Sequence, residues 1–503
     1  MDDDAPPPAP PVAPGLNAAA AGWLVFVTSG AVLMLEIVSL RLVAPYLGLT
    51  LEMSTGVIGF ALGAIALGAW LGGRAADSVP PQKLIGPMIL LAGVMVLFVG
   101  PAVRFTGEQV RGGNAFGVLV MAAVSILAPA ALLSAVSPLV VKLRLQALDE
   151  TGRVVGRLSG IGTVGALVST FATGFLLVAA MPTSRILLAL GGTLIVLGLV
   201  LTLKLKASPV AYGLLVFAAA GVGASSLYPP PCDVETAYHC ARVETDPTRP
   251  SGRTLVMDTL FHSYVDLEDP TYLEFSYTRS FASVIDAAKQ EPTLDALHIG
   301  GGGFTIPRYL DHTRPGSDNL VLEIDEAVVD LDIARLGLEL GDGIQAHIGD
   351  GRVALRGQAD SSRDVVVEDA FGGLAVPWHL TTLETAEEIR RILRPDGIYL
   401  VNVIDFAPLN FARAEAATLA EAFPHVAVIS RPDVLAGRSG DNLVMVGSES
   451  PLPIEAIRAE LRRRAPEYSL IEGTEYDDFA GDAMVLTDDY APVDQLVTLR
   501  DRG

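Results

Sequence analysis

The chain has 503 residues, of which 50% are hydrophobic and only 18% are charged. This composition is more apolar than that of an average soluble protein, so a membrane-embedded part is expected. The formal net charge of -22 argues against a nucleic-acid-binding surface, which would need a basic patch. Two cysteines are too few for a disulfide scaffold or a cysteine-based metal site, and we expect no metal.

The N-terminal half is expected to be a multi-pass α-helical membrane domain. Residues 1–17 are acidic and rich in Pro and Ala, which predicts a disordered tail, and they lack the basic start of a cleavable signal peptide. Within residues 18–228, seven apolar runs are each long enough to cross about 30 Å of hydrocarbon as a helix. They lie near residues 21–44, 53–73, 84–103, 114–141, 158–180, 185–203 and 209–227. The lipid bilayer is therefore an expected partner.

Seven spans would put the two ends of the chain on opposite sides of the membrane. The loops on one side carry eight Lys or Arg residues and those on the other side only four. The positive-inside rule then predicts a cell-membrane protein with its globular domain on the outer face. Cys232 and Cys240 are a disulfide candidate, since oxidation suits that face; two reduced thiols are the alternative. A miscount of one span, most readily in the run at 114–141, would reverse the sidedness.

Glu36 is the functional candidate in the membrane half. It lies within the first apolar run, where an ionisable side chain is costly and therefore suggests a function. The alternative is a structural hydrogen bond to a neighbouring span.

Glycines and acidic residues at the ends of three apolar runs predict a nucleoside-binding fold. The glycines let the backbone approach a ligand, and an acid ending the second strand can accept hydrogen bonds from both ribose hydroxyls. The glycine spacing departs from a dinucleotide motif, which argues against NAD and for an adenosyl-sulfonium cofactor of the S-adenosylmethionine type. A strand-to-helix turn without a ligand is the alternative. The residues are Gly300, Gly301 and Gly302 after the first run, Glu323 after the second, and Asp350 with Gly351 after the third.

The remaining patterns of the C-terminal half predict an α/β Rossmann-like domain behind a small sheet. Residues 229–270 form a juxtamembrane segment with short alternating strands, and residues 271–503 form the nucleotide-binding domain. A pair of strands around HVAVIS and NLVMVG is expected to complete the main sheet. The residues after Pro451 are expected to add a polar tail with helical character.

Together these parts resemble the spermidine synthases, the polyamine aminopropyltransferases, over about residues 236–447. With the membrane half, the chain resembles the membrane-fused spermidine synthase-like proteins. Typical of that group are LEIVSLRLVAPYLG in the first span and EDAFGGLAVPWHLTT after the fourth strand. The resemblance implies a multi-pass helical membrane domain followed by a Rossmann-like, S-adenosylmethionine-dependent transferase domain with a small N-terminal β-sheet. It also implies a homodimer, because these domains commonly dimerise.

The resemblance implies roles for the residues around the glycine loop. Glu323 matches the ribose-binding carboxylate, Asp350 and Gly351 match the adenine-side pair, and Gly300 to Gly302 match the loop beside the sulfonium. His239 takes the place of a cofactor-binding glutamine. The implied cofactor is S-adenosylmethionine or its decarboxylated form.

Asp369 matches the family's catalytic aspartate. An ammonium has no lone pair, so a carboxylate must hold the amine and help to deprotonate it before displacement at the carbon next to sulfur. A helix N-cap or a turn residue is the alternative for Asp369.

The amine-binding positions of the family are only partly present. Gly303 and Gly372 stand where the family has acids, and Thr278 stands where it has a histidine after Tyr277. Each lost carboxylate removes a hydrogen bond worth about 1.5–3 kcal/mol to a diamine. We therefore expect a small amine or another small molecule as acceptor. The substrate candidates are His262, Tyr277 and His379, with Tyr264, Glu274 and Trp378 as further candidates; ordinary packing or a surface position is the alternative for each.

Two functional hypotheses follow. In the first, the protein is an integral-membrane transferase that passes an aminopropyl or related group to an amine. In the second, it is a transporter or membrane assembly factor whose spermidine-synthase-like domain is catalytically inactive. Gly303, Gly372, the outward sidedness and Glu36 favour the second.

Overall fold

The computed structural model describes residues 16–47, 51–110, 115–145, 150–205, 210–370 and 377–498. The chain divides into two compact units, Met1–Pro231 and Cys232–Gly503, which we call the helical unit and the globular unit. The fold class predicted from the sequence is confirmed: long apolar helices precede an α/β domain that carries a small antiparallel sheet.

The described part of the helical unit contains six stretches that are long and apolar enough to cross a membrane. One of them combines α4 (Ala115–Ser134) with α5 (Val136–Arg144). Another combines α6 (Thr151–Phe171), the π-helical segment (Ala172–Leu177) and α7 (Val178–Ala180). The apolar stretch of α9, Gly213–Ala224, is shorter, so the seventh span and the sidedness that depends on it remain predictions. In chain order the elements are α1 (Ala18–Leu47), α2 (Leu51–Ser78), α3 (Pro81–Val110), α4 (Ala115–Ser134), α5 (Val136–Arg144), α6 (Thr151–Phe171), the π-helical segment (Ala172–Leu177), α7 (Val178–Ala180), α8 (Thr183–Lys204) and α9 (Val210–Leu227).

Close helix packing in this unit depends on small residues. A Cβ added to Gly68 on α2 would lie 2.2 Å from the carbonyl oxygen of Ala131 on α4. A Cβ on Gly198 of α8 would lie 2.4 Å from the backbone nitrogen of Leu90 on α3. Both helix pairs therefore touch backbone to backbone, which is how membrane helices associate without a hydrophobic driving force between them.

The globular unit contains two sheets. The small sheet is antiparallel, with strand order β1-β2-β3-β4. The large sheet has the order β12-β10-β11-β9-β8-β5-β6-β7, and its five strands from β9 to β7 are parallel. The strands are β1 (Val234–Glu235), β2 (Cys240–Thr245), β3 (Gly252–Met257), β4 (Leu260–Asp266), β5 (Asp295–Ile299), β6 (Asp318–Glu323), β7 (Ile344–Ile348), β8 (Arg363–Glu368), β9 (Leu393–Asp405), β10 (His425–Ser430), β11 (Asp441–Ser448) and β12 (Ser469–Glu472).

Helices cover both faces of the large sheet, as its nearly continuous apolar strands require. They are α10 (Ser276–Ala288), α11 (Thr305–Thr313), α12 (Glu326–Arg335), α13 (Gly351–Leu355), α14 (Leu383–Ile392), α15 (Asn410–Ala422), α16 (Pro432–Leu435), α17 (Ile454–Arg464), α18 (Thr474–Ala480) and α19 (Val493–Leu496).

The expectation that two strands complete the large sheet was wrong. β10 pairs with β12, whose four residues belong to the segment expected to be a polar tail. The same segment buries Tyr476, Phe479 and Leu486 in the core. A strand of four residues is too short to leave a clear alternating pattern in the sequence.

The strand order reverses at β5, which sets the position of the site. From β5 the chain continues to β6 and β7 on one side, and to β8 and β9 on the other. In the paired register, Ile299 faces Leu322 of β6 and Glu368 of β8. The residues that follow these three strands therefore emerge side by side, in the crevice where open α/β sheets bind ligands.

Candidate active site

The glycine loop leaves β5 between two carboxylates. Gly300 has φ +97°, and a Cβ there would lie 2.4 Å from the carbonyl oxygen of Asp369. The backbone N–H of Gly301 donates to Oε2 of Glu323 at 2.6 Å. A side chain at Gly300 or Gly301 would crowd the backbone of Asp369 or the side chain of Glu323, so the glycines allow the loop to lie directly against both residues.

Glu323 is held by the backbone. It ends β6 and is 8% exposed. Oε2 accepts from Gly301, and Oε1 accepts from the N–H of Asp325 at 2.8 Å. Burial raises the pKa of Glu323, although both N–H bonds oppose that change. Each oxygen retains lone-pair capacity for one more donor, so the carboxylate can accept bonds from two neighbouring hydroxyls.

Asp350 lies at the far edge of the parallel strands, after β7. Its Oδ1 accepts from the N–H of Val353 and caps α13. Nε2 of His379 lies 3.4 Å from Oδ2 of Asp350. β5 and β6 separate β7 from β8, so the structure places His379 beside the predicted adenine-side residue rather than beside Asp369. Gly351 follows directly, and a Cβ there would lie 2.9 Å from Cγ2 of Ile299.

Asp369 follows β8 and is bonded by side chains. Its Oδ1 accepts from Nδ2 of Asn402 at 2.9 Å, and the hydroxyl of Tyr277, which donates to the carbonyl oxygen of His262, lies nearby. Burial raises the pKa of Asp369 to about 6, while the Asn402 bond and the nearby Tyr277 hydroxyl favour the ionised form. A carboxylate with this pKa is mostly ionised at neutral pH and is a stronger base than an ordinary aspartate.

The small sheet contributes two histidines next to Tyr277. The hydroxyl of Tyr277 on α10 lies 3.3 Å from the carbonyl oxygen of His262 on β4. The ring of His262 lies 6.1 Å from that of His239, centroid to centroid. Burial lowers the pKa of His262 to about 4, so the ring is neutral at pH 7. Nδ1 of His239 lies 3.0 Å from Oδ2 of Asp258, which orients the His239 ring.

These contacts link most of the predicted site residues into one cluster. An electrostatic interaction joins His239 to Glu323. Ring and hydrogen-bond contacts continue from His239 through His262 to Tyr277, which lies beside Asp369. Three further candidates make contacts elsewhere. The hydroxyl of Tyr264 donates a hydrogen bond to Asp246. Glu274 is exposed and accepts a hydrogen bond from Tyr272. Trp378 is 48% exposed.

Gly303 cannot be replaced by an acid without moving its neighbours. It has φ +73°, and a Cβ there would lie 2.1 Å from Oγ of Ser263. Its N–H donates to Oδ2 of the buried Asp332 at 2.9 Å. The second position without an acid, Gly372, lies outside the described residues.

Asn402 and Asp332 were missed by the sequence reading. Asn402 is a single polar residue within the apolar run of β9, and that interruption was an available signal. Asp332 lies on α12 and is fully buried. Its helix shows no other polar residue on the buried face, so the signal was again one polar residue among apolar ones.

The remaining predicted residues lie outside this cluster. Cys232 and Cys240 are joined by a disulfide, with their Cα atoms 5.3 Å apart. Glu36 lies half-buried on α1 in the helical unit.

Known proteins with similar sequences or structures were found for the globular unit. No protein-family profile matches the chain. A polyamine aminopropyltransferase from Chromobacterium violaceum is 29% identical over 141 residues, which are 28% of this chain and 53% of that protein. The chain thus spans about half the length of this relative. A polyamine aminopropyltransferase from Vibrio vulnificus is 26% identical over 46% of this chain and 79% of its own length. A probable spermidine synthase from Corynebacterium glutamicum, known from its crystal structure, is 30% identical; the match covers 52% of this chain and 97% of that one, with a TM-score of 0.48.

Proposed function

Since the chain belongs to the spermidine synthase-like family, we propose that its globular unit is a transferase for an amine acceptor. The cofactor would be S-adenosylmethionine or its decarboxylated form, and the group transferred an aminopropyl or related group. The proposal is carried by one observation: the glycine loop after β5 lies directly against Glu323 on one side and the backbone of Asp369 on the other, which brings both acidic residues to the same crevice.

The residues present fit such a cofactor. Glu323 would hold the two ribose hydroxyls with its remaining lone pairs, and Asp350 would accept a hydrogen bond on the adenine side. Gly300 and Gly301 lack the Cβ atoms that would otherwise meet Asp369 and Glu323, so the backbone can lie close to the ligand. His239, which Asp258 orients, would lie between the ribose and the reacting group.

Asp369 would act as the base. The cofactor supplies a carbon activated by positive sulfur: as the acceptor nitrogen bonds to this carbon, the carbon–sulfur bond breaks and its electron pair stays on the sulfur. Asp369 holds the acceptor ammonium and takes one of its protons, so that the nitrogen gains a free lone pair. The hydrogen bond from Asn402 would keep the carboxylate in place during this transfer.

Calorimetry with the purified full-length chain in detergent tests this proposal. S-adenosylmethionine, its decarboxylated form and methylthioadenosine are titrated separately, and we expect at least one of them to bind in the micromolar range. The exposed Glu274→Gln variant is the matched control and should bind as the wild type does. Absence of binding by all three compounds would overturn the proposal.

A further inference from the structure

Helices α1 and α6 lie side by side and run in the same direction. A Cβ on Gly22 of α1 would lie 3.1 Å from Ile161 of α6, and a Cβ on Gly30 would lie 2.2 Å from Oγ of Ser169. A step of eight residues along α1 is thus matched by a step of eight along α6 (22 to 30 and 161 to 169). Equal steps in the same direction mean a parallel pair in constant register.

This register brings Glu36 level with Thr173. Glu36 lies six residues beyond Gly30, and Thr173 lies four residues beyond Ser169. At 1.5 Å of rise per residue, their positions along the helix pair differ by only about 3 Å.

Both residues also lie on the facing sides of the two helices. Glu36 is two turns beyond Ser29, whose Oγ would meet a Cβ on Gly162 at 2.9 Å. Thr173 is one turn beyond Ser169, which meets Gly30. Residues four or seven apart share one face of a helix, so the two side chains belong to the same contact stripe.

Thr173 is an unusual residue in this stripe. It is fully buried, with 0% of its surface exposed, and its Oγ1 has no hydrogen-bond partner among the described residues. It is the second residue of the π-helical segment Ala172–Leu177. A π-helical turn changes which N–H each carbonyl accepts from, and such turns frequently occur at functional sites.

We propose that Glu36, Thr173 and the π-helical segment form a binding site for a small alkylammonium ion inside the helical unit. A carboxylate, a hydroxyl and backbone carbonyls are hydrogen-bond acceptors, and an ammonium offers three donors with a positive charge. A carboxyl group within a membrane span is costly unless it pairs with such a charge. The site is separate from Asp369, which lies in the globular unit.

Protection of Glu36 from an apolar carbodiimide tests the proposal. The purified full-length chain in detergent is treated with dicyclohexylcarbodiimide. Modification of the Glu36 peptide is measured by mass spectrometry as the sum of the carbodiimide adduct and the butylamide, because an activated carboxyl also couples to a primary amine. We expect n-butylamine to protect Glu36 in a concentration-dependent way and n-butanol of the same length to give no protection. Thr173→Val should raise the half-protecting concentration about 10- to 100-fold, because one hydrogen bond to a charged group is lost.

Two control variants identify the site that binds the amine. In the Ser39→Ala variant, n-butylamine should protect Glu36 as it does in the wild type. The side chain of Ser39 on α1 donates to the carbonyl oxygen of Ser125 on α4 and does not point towards α6. In the Asp369→Asn variant, n-butylamine should also protect Glu36 normally, even though the proposed transfer activity would be lost. Loss of protection in Asp369→Asn would place the amine in the globular unit and overturn this inference while leaving the transferase proposal intact.

Three other outcomes would also overturn it. They are equal protection by n-butanol, equal protection by sodium chloride at the same concentration, and no modification of Glu36 between pH 5 and pH 8. Sodium protection would indicate a metal-cation site instead of an alkylammonium site. Absence of the Glu36 modification would show that the carboxyl is not available to a ligand.

Discussion

Glu323, at the proposed cofactor end of the candidate site, accepts hydrogen bonds from two backbone N–H groups. Asp369, at the proposed acceptor end, accepts a hydrogen bond from the side chain of Asn402. Backbone donors are fixed by the fold, so they define where Glu323 points. Burial raises the pKa of Asp369 to about 6, so it can exchange a proton near neutral pH. The comparison supports the proposed division of roles, in which Glu323 would hold a ligand and Asp369 would take part in the chemistry.

The ends also differ in the charge available for a ligand. Asn402 and Tyr277, the partners of Asp369, are uncharged, and His262 nearby is neutral at pH 7 because burial lowers its pKa to about 4. Among these described neighbours, Asp369 is the carboxylate on which an acceptor amine would depend.

The largest expected effect comes from Asp369→Asn. The amide keeps an oxygen for the Asn402 bond but cannot take a proton, so the transfer rate should fall about a thousandfold. The dissociation constant of the cofactor should stay within about threefold of the wild-type value, because Glu323 is unchanged. Turnover assays and calorimetry on the same preparation check both parts. A loss of cofactor binding that matches the loss of rate would show that the two ends are not separate.

Glu323→Gln should produce the converse result. The amide replaces one of the two acceptor oxygens by an NH₂ group. This donor would face the N–H of Gly301 or of Asp325, and it could no longer accept a hydrogen bond from a ribose hydroxyl. Cofactor affinity should fall about 10- to 100-fold, the value of a charge-assisted bond, while the rate at saturating cofactor stays within a few-fold. The comparison variant is Asp350→Asn. Because this side chain is half-exposed, its substitution should lower cofactor affinity only about three- to fivefold. A larger effect for Asp350 than for Glu323 in calorimetry would contradict this assignment.

The sequence was sufficient to predict where Glu323 and Asp350 lie in the fold, but not which residues surround Asp369. Glu323 and Asp350 each end an apolar strand, so a linear pattern places them at one edge of the sheet. The contacts of Asp369 involve α10, β8 and β9, which are far apart in the chain, and no local pattern encodes them. β12 was missed for a different reason, since its four residues form a strand only against β10.

Substitution of Glu368 should have a smaller effect, on the stability of the folded protein rather than on the transfer rate. It precedes Asp369 on β8, is 4% exposed, and accepts from the hydroxyl of Tyr399 at 2.8 Å. Burial raises the pKa of Glu368 to about 8, so the folded protein holds a proton that the unfolded chain releases above about pH 4.5.

The stability contributed by this protonated carboxyl is therefore greatest at low pH and declines as the pH rises from about 4.5 to about 8. Glu368→Gln removes the decline and still accepts the Tyr399 bond. Its melting temperature should exceed that of the wild type by an amount that grows from pH 5 to pH 8, equivalent to about 4 kcal/mol at the upper end. Thermal unfolding at four pH values measures this, with Glu274→Gln as the exposed control. A difference that does not change with pH would contradict the assigned cause.

The smallest expected effect comes from substitution of Asn402, and it separates the role of Asn402 from that of the proposed base, Asp369. Nδ2 of Asn402 donates to Oδ1 of Asp369 and favours the ionised carboxylate. Asn402→Ala removes this donor, so the pKa of Asp369 should rise above its value of about 6, by about 0.5–1 unit for a bond of this strength. The acid limb of the pH–rate profile should move to higher pH by the same amount, with a severalfold lower rate at pH 6 and little change at pH 8.5. Asn402→Asp brings a second carboxyl close to Asp369 and should move the limb further in the same direction. If Asn402→Ala instead lowers the rate equally at every pH, Asn402 only supports the packing of β9, and the contrast between a fixed and a proton-exchanging carboxylate no longer holds for this pair.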